Sequence, residues 1–257
     1  MNQRRVSAER GLQWLRQSFE LIRSNPKPFL LMGLVLSILA MVPLLGLVAF
    51  AVFGQALYGG VMRAADLQHR GEQAELEHLM SAFKQPGKLP KMLALCLPGI
   101  AAGVVLTILA FWLLGGALLA GGVSSANEHP EAMLMALGGA GLFFLLLAMA
   151  IGLFAYAAVF FATPRVMLHD AEPFDAIKQS LAACRDNLGA LVVFLLALFF
   201  ATLLLSLFFS LLPWIGGLLL MTVLLPWVNV AVYFAYLDVF GAASGEPAIA
   251  APPTFEM

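Results

Sequence analysis

The side chains that could do chemistry are few in this chain, and few of them form a pattern. No H-E-x-x-H is present, and Glu77-His78 has no second histidine four residues after His78. The helical pair of imidazoles that holds a catalytic zinc is therefore missing. His69 with Glu72, and His78 with Glu75, are single-turn pairs of the kind that decorate solvated helix faces. Ser124-Ser125 lies near His129, yet neither a buried base nor an acidic orienting group accompanies them, and a serine nucleophile needs both in a held geometry. Gly115-Gly116 and Gly121-Gly122 lack a following Gly-Lys-Ser/Thr and make no phosphate loop. Cys96 and Cys184 are too few and too widely spaced for a disulfide framework or a C-x-x-C site. The expectation is no catalytic residue, no metal site and no cofactor.

The surroundings of these residues explain the scarcity. Of 257 residues, 61% are hydrophobic and only 11% charged, against about 25% charged in a soluble domain, and the mean hydropathy is +0.92. Leu188 to Leu237 runs for fifty residues without a charge. As one helix it would be about 75 Å long, more than twice the hydrocarbon thickness of a bilayer. It must fold back, and Pro213-Trp214-Ile215-Gly216-Gly217 is the natural break. Long uniform apolar runs exclude a β-barrel, whose strands alternate. The reading is an all-α, polytopic membrane protein.

Six spans are expected, at about 28–42, 44–62, 92–120, 132–162, 188–211 and 213–237, forming one integral membrane domain over 1–240. The Ala- and Pro-rich tail, 241–257, has no reason to order. The first leg, 28–42, is short for a full crossing, so a re-entrant hairpin or one kinked helix are alternatives to two spans. Three amphipathic helices flank the spans. In the first, Ser7 to Ser24, the residues Leu12, Leu15, Phe19 and Ile22 recur at helical spacing, widened by Trp14 and Leu21. The second is Glu75 to Phe83. The third carries Phe174, Ile177, Leu181 and Cys184.

All 14 basic residues precede Pro28, or lie between 63 and 91, or between 165 and 185. None falls in the turns at 43–46, 121–131 or 213–217. Six alternating spans place every one of them on one face, which the positive-inside rule makes cytoplasmic. Both termini are then on the cytoplasmic side.

The chain also repeats. Residues 15–25 align without gaps on 177–187, with Gln, Ser, Arg and Asn identical, and Pro43-Leu44-Leu45-Gly46 matches Pro213-Trp214-Ile215-Gly216. Asp66 and Asp238 sit near the ends of their hairpins. The middle hairpin shares the order more loosely. Because each hairpin returns to the same side, the repeats are parallel rather than inverted. Gly54, Gly59 and Gly60 on the second span could allow close helix contact.

The segment from Gln17 to Pro26, followed by Pro28-Phe29-Leu30-Leu31 and Pro43-Leu44-Leu45-Gly46, resembles a group of poorly characterised proteobacterial inner-membrane proteins. The resemblance covers roughly residues 10 to 240. The chain is also distantly similar to the YciC-type membrane proteins and to the membrane region attached to some glycerophosphodiester phosphodiesterases. That likeness implies a six-helix inner-membrane fold with no assigned activity and no catalytic residues to carry over.

Ionisable groups inside spans are the usual pointer to function, and here the span interiors hold none. Asp66 and Asp238 lie at span ends, with Arg63 one turn from Asp66. Gln55, Thr107, Asn229 and Tyr233 are the polar interior candidates. The expected role is a non-enzymatic membrane module that binds phospholipids, anionic ones in particular, or a partner protein, in envelope homeostasis. The alternatives are a transporter or channel for a lipid-like or small apolar substrate, using a cavity near Asn229 or Gln55, and an intramembrane enzyme. No nucleic-acid partner is expected, and the small residues on the spans are compatible with a homo-oligomer.

Overall fold

The computed structural model describes residues 3–121, 130–212 and 215–241, so the turn at 122–129 (with Ser124, Ser125 and His129), Pro213-Trp214 and the tail beyond 241 lie outside the described residues. Every element among the described residues is helical. In order they are α1 (Arg10–Ser24), α2 (Pro26–Met41), α3 (Leu45–His69), a 3₁₀ turn (Leu76–Met80), α4 (Ser81–Lys84), α5 (Lys88–Ala94), α6 (Leu97–Gly121), α7 (Pro130–Phe160), α8 (Ala162–His169), α9 (Pro173–Asp186), α10 (Leu188–Phe209) and α11 (Gly216–Phe240). Five helical stretches are long and apolar enough to cross a membrane. A sixth arises if α1 and α2, bent by 107° at their junction, are taken together. The chain is a membrane protein, because no soluble fold leaves this many long apolar helices to be covered.

The chain divides into two compact units, one of residues 1–96 with 159–257, the other of residues 97–158. The second unit is α6 and most of α7. Its side chains face outward in large number: Phe111 is 76% exposed, Trp112 71% and Phe154 65%. Such rings suit hydrocarbon, not water.

The first unit holds the buried core. Short turns join α2 to α3 and α10 to α11, and each pair packs side by side. Both turns close the same way. The Gly46 amide donates to the Val42 carbonyl at 2.8 Å, and the Gly216 amide to the Leu212 carbonyl at 2.8 Å. A Cβ on Gly46 would run into the Leu39 carbonyl, and one on Gly216 into the Phe209 carbonyl, each seven residues back. That is why the repeated Pro-x-x-Gly ends in glycine. In the first turn Leu44 takes φ 60° and ψ −52°, and the Leu45 amide reaches the Pro43 carbonyl at 2.6 Å. This is a γ-turn in its strained left-handed form.

Close backbone approach also sets the helix contacts. Gly33 of α2 lies against the Thr222 carbonyl of α11, an oxygen deprived of its helical donor because residue 226 is proline. Gly11 brings α1 against Ala190 and Phe194 of α10, and Gly60 brings α3 against the Leu79 carbonyl. Of the three glycines expected at contacts, Gly60 and Gly59 meet other elements, Gly59 through Met92 and Met167. Gly54 has only Phe50 and Tyr58 of its own helix nearby.

Element boundaries differ from expectation for local reasons. The 75–83 helix is a 3₁₀ turn followed by a single α turn, capped where the His78 side chain accepts from the Glu75 amide at 2.9 Å. The third span begins as α5 and breaks at Leu95-Cys96 before α6, and the fourth breaks at Phe161 to give α8. In α1 the buried stripe is Gly11, Trp14, Leu15 and Ser18, while Leu12 and Phe19 are exposed.

Gly46→Ala and Gly216→Ala are each expected to lower the melting temperature of detergent-solubilised protein, by an overpacking cost of about 1–3 kcal/mol. Leu44→Gly, which removes the left-handed strain, should raise it or leave it unchanged. A thermal scan following intrinsic fluorescence reads all three.

Candidate functional site

The polar segments of the first unit gather where the helices begin and end. Asp238 at the end of α11 accepts the Arg10 guanidinium in a two-pronged pair and the Trp14 Nε1 proton at 2.6 Å. Trp14 is fully buried, and the Trp227 indole donates to the Leu15 carbonyl at 3.0 Å. These bonds dock α1 on α11 while Gly11 docks it on α10. The N-terminal residues before α1 are tied to the same place: the Arg4 amide donates to the Val239 carbonyl at 3.0 Å, and the Val6 amide to Asn187 Oδ1 at 2.8 Å.

Asp66, 1% exposed, is the second anchor. It accepts from Arg63 Nη1 at 3.0 Å, Arg70 Nε at 3.0 Å and the Tyr233 hydroxyl at 3.3 Å. The sequence pointed to Arg63; Arg70 and Tyr233 come from the fold. Gln68 then reaches the Leu21 carbonyl at 2.6 Å and so ties the end of α3 to the end of α1. The third link joins α5 to the end of α8. The buried Lys88 ammonium donates to the Val166 carbonyl and to Asp170 Oδ1, both at 3.0 Å. Asp170 sits at φ 54° as the left-handed cap of α8. The Lys88 and Lys91 ammonium groups hold its carboxyl below the usual carboxylate range, Lys88 foremost.

The other predicted polar residues have partners within the fold. Asn229 Nδ2 donates to the Leu225 carbonyl of its own helix at 2.8 Å, and the Thr107 hydroxyl to the Gly103 carbonyl at 2.8 Å. Gln55 Oε1 accepts the Thr163 hydroxyl at 2.6 Å, joining α3 to α8. His69 lies edge-on to Tyr233 and Phe234. His78 serves the 3₁₀ cap, and Glu77 pairs with Lys84 at 2.7 Å. Burial pushes the Cys184 thiol up to about 12, so it stays protonated and unreactive. Among the described residues no group of three or more His, Cys, Asp or Glu side chains could hold a metal.

The outward surfaces of α1 and α9, read from the sequence as interfacial helices, share one arrangement. On α1, Leu12, Arg16, Phe19 and Arg23 are all exposed. Spacings of four, three and four residues put them in one line along the helix. On α9, Phe174, Lys178, Leu181 and Arg185 have the same spacings, with Leu181 half-buried and the rest exposed. The inward faces correspond too: Gly11, Trp14 and Ser18 are buried, as are Pro173, Ala176 and Ser180. Gln17 and Gln179 each bury an Oε1 that finds no donor among the described residues. The gapless repeat visible in the sequence thus marks one face toward the core and one line of alternating apolar and basic side chains away from it.

These basic residues are loosely held. Lys178 meets Asp175 at 3.7 Å with both side chains exposed, and the exposed Arg185 meets the largely buried Asp186 at 3.7 Å. Exposed pairs of this kind contribute between 0 and about 1 kcal/mol and are readily exchanged. Among the described residues Arg16, Arg23 and Lys27 have no carboxylate partner.

Asp238→Ala should destabilise the protein by about 3–5 kcal/mol, because it strands a mostly buried guanidinium and an indole N–H. Asp175→Ala should change stability by less than about 1 kcal/mol, and equal melting shifts would overturn the contrast. Asp170 gives a pH signature. Its depressed pKa means that its contribution is present above the ordinary carboxylate range and is lost as pH falls through the lowered value. Acid titration below about pH 4 should therefore soften the wild type more than Asp170→Asn.

The chain is 28% identical over 199 residues to a protein of Burkholderia thailandensis named "Probable inner membrane protein", a match covering 74% of this chain and 72% of that one. No family model matches the chain, and no solved structure matches it.

Proposed function

We propose that this chain is a non-enzymatic inner-membrane module that holds anionic phospholipid headgroups against the surfaces of α1 and α9. The observation that carries the reading is the duplicated line of exposed apolar and basic residues on those two helices. An apolar side chain and a cation alternating along one helix line suit the boundary between acyl chains and phosphates. The basic face is the cytoplasmic one, with both termini there, since all basic residues cluster in the segments joined at the helix ends. The relative from Burkholderia thailandensis, by its name, supports the inner membrane as the location. The likeness to YciC-type proteins and to the phosphodiesterase membrane region fits the same reading and supplies no catalytic residues.

The architecture proposed is three parallel hairpins, each preceded by a surface helix: α1 before α2–α3, the 76–84 segment before α5–α6 with α7–α8, and α9 before α10–α11. Its support is the matched pair of glycine turns and the packing order. The first surface helix leans on α10 and α11, the second on α3, the third on α8 and α5. Each thus rests on the hairpin of the preceding unit, and the first on that of the last. The transport alternative would draw on Asn229, one of whose amide protons is donated to the Leu225 carbonyl of its own helix.

The test is native mass spectrometry of the full chain, gently extracted from a membrane containing phosphatidylglycerol and phosphatidylethanolamine. The wild type should retain phosphatidylglycerol in excess of its bulk share. The variant carrying Arg16→Gln, Arg23→Gln, Lys178→Gln and Arg185→Gln should lose the part of that excess held on α1 and α9 while keeping its melting temperature. Retention at the bulk ratio by the wild type, or an undiminished excess in the variant, would overturn the proposal.

A further inference from the structure

Beneath the bend between α1 and α2 runs an apolar groove of about 650 Å³. Its floor is α11, at Leu219 and Val223; one wall is α2, at Leu30 and Leu34; Phe209 of α10 closes the far end, and Lys27 stands at the mouth. Thr222 also lines it, with its hydroxyl proton donated to the Leu218 carbonyl at 2.8 Å. The lining is thus hydrocarbon up to a single cation. Among the described residues no carboxylate lines the groove. The acid nearest in sequence, Glu20, lies one turn before Arg23, and among the described residues neither it nor Arg23 nor Lys27 makes an ion pair.

The dimensions fit one leaflet. From Lys27 to Leu34 is seven residues, about 10 Å of helix, and half of a bilayer core is about 15 Å. Gly33 and Ser37 approach Pro226 and Thr222 of α11, so α2 descends beside α11 from the helix-end face that carries the basic residues. An occupant whose tail lies along α11 therefore has its head at Lys27, with Arg23 exposed one turn earlier on α1.

From this geometry we infer a specific site in the α2–α10–α11 groove for an anionic diacyl phospholipid of the leaflet on the basic side, one acyl chain lying in the groove and the phosphate at Lys27. Charge complementarity selects the occupant: the groove would accept any alkyl chain, and the unpaired lysine at its mouth discriminates by headgroup. The inference rests on the lipid-holding reading above and adds to it a defined tail site separate from the helix surfaces. Lys27 and the groove lining lie outside the two residue lines that carry that reading.

The experiment compares retained lipid on the full chain in nanodiscs of phosphatidylglycerol and phosphatidylcholine with identical acyl chains, followed by gentle extraction and native mass spectrometry. The wild type should carry one tightly held phosphatidylglycerol. Lys27→Ala should cut the preference over phosphatidylcholine about fivefold, and Lys27→Arg should keep it. Val223→Trp and Leu34→Trp fill the groove from its floor and its wall, and should abolish the tightly held lipid. Two fillings on different helices, each checked by melting temperature, separate a blocked groove from a damaged fold. A wild-type preference untouched by Lys27→Ala and by both tryptophans, but lost in the α1/α9 quadruple variant, would overturn the groove and leave the wider reading standing. Absence of any preference in the wild type would overturn both.

Discussion

Asp238 gives α1 a fixed place against the end of α11. Its carboxylate takes the Arg10 guanidinium and the Trp14 indole proton together, and that pairing holds Trp14 out of solvent. A carboxylate at the end of an apolar span cannot remain both buried and unpaired. With α1 fixed on α10 and α11, α2 must begin at Asn25-Pro26, where proline at the first helical position starts a new helix at a 107° bend. The bend puts Lys27 over the groove, and the docking turns Leu12, Arg16, Phe19 and Arg23 outward. The α1 surface and the placement of Lys27 thus both depend on one ion pair between residues 228 positions apart.

Close approach at glycine is the second constraint, and it works with the first. Gly11 lets α1 lie on the α10 backbone, Gly33 lets α2 lie on α11, and Gly60 lets α3 meet the Leu79 carbonyl. Between apolar helices in a membrane there is little hydrophobic drive to associate, so van der Waals contact and satisfied polar groups decide the packing. The second unit shows the other side of this rule. Gly99, Gly103, Gly115 and Gly116 of α6 have nothing within 4 Å of where a Cβ would sit, and the same holds for Gly138, Gly139, Gly141 and Gly152 of α7. Small residues permit close packing; they do not by themselves produce it.

Much of the fold was legible in the chain because bilayer thickness is a hard ruler. Charge-free runs located all the long helices, and the matched Pro-x-x-Gly segments located turns whose glycines prove sterically obligatory. Boundaries drifted where helices broke without a charge to mark the break, as at Leu95-Cys96 and Phe161. Periodicity puts Leu12, Leu15, Phe19 and Ile22 on one apolar face of an interfacial helix, and it does not say which of them the core takes. The fold buries Leu15 with Gly11, Trp14 and Ser18 and leaves Leu12 and Phe19 exposed. Small residues went inward because backbones had to approach, and large apolar ones could go outward because the surroundings are themselves apolar. Arg63 beside Asp66 was readable from one helical turn; Arg10 on Asp238 and Tyr233 on Asp66 were not, since nothing local connects residues so distant in sequence.

The repeat bears on function as well as descent. Duplicated structure is explained by folding alone when the buried face is what matches, and Trp14 and Ala176, or Ser18 and Ser180, satisfy that explanation. Folding does not explain why the solvent-side lines also match, with an aromatic or leucine followed by a cation at the same four positions on α1 and α9. The cations contribute little internally: Arg16 and Arg23 have no acidic partner among the described residues, and Lys178 and Arg185 meet theirs only at 3.7 Å. A charge that does little for the fold and recurs at equivalent outward positions is best accounted for by something outside the chain. Beside long apolar helices, phosphate-bearing lipid is the abundant molecule with the matching combination of tail and charge.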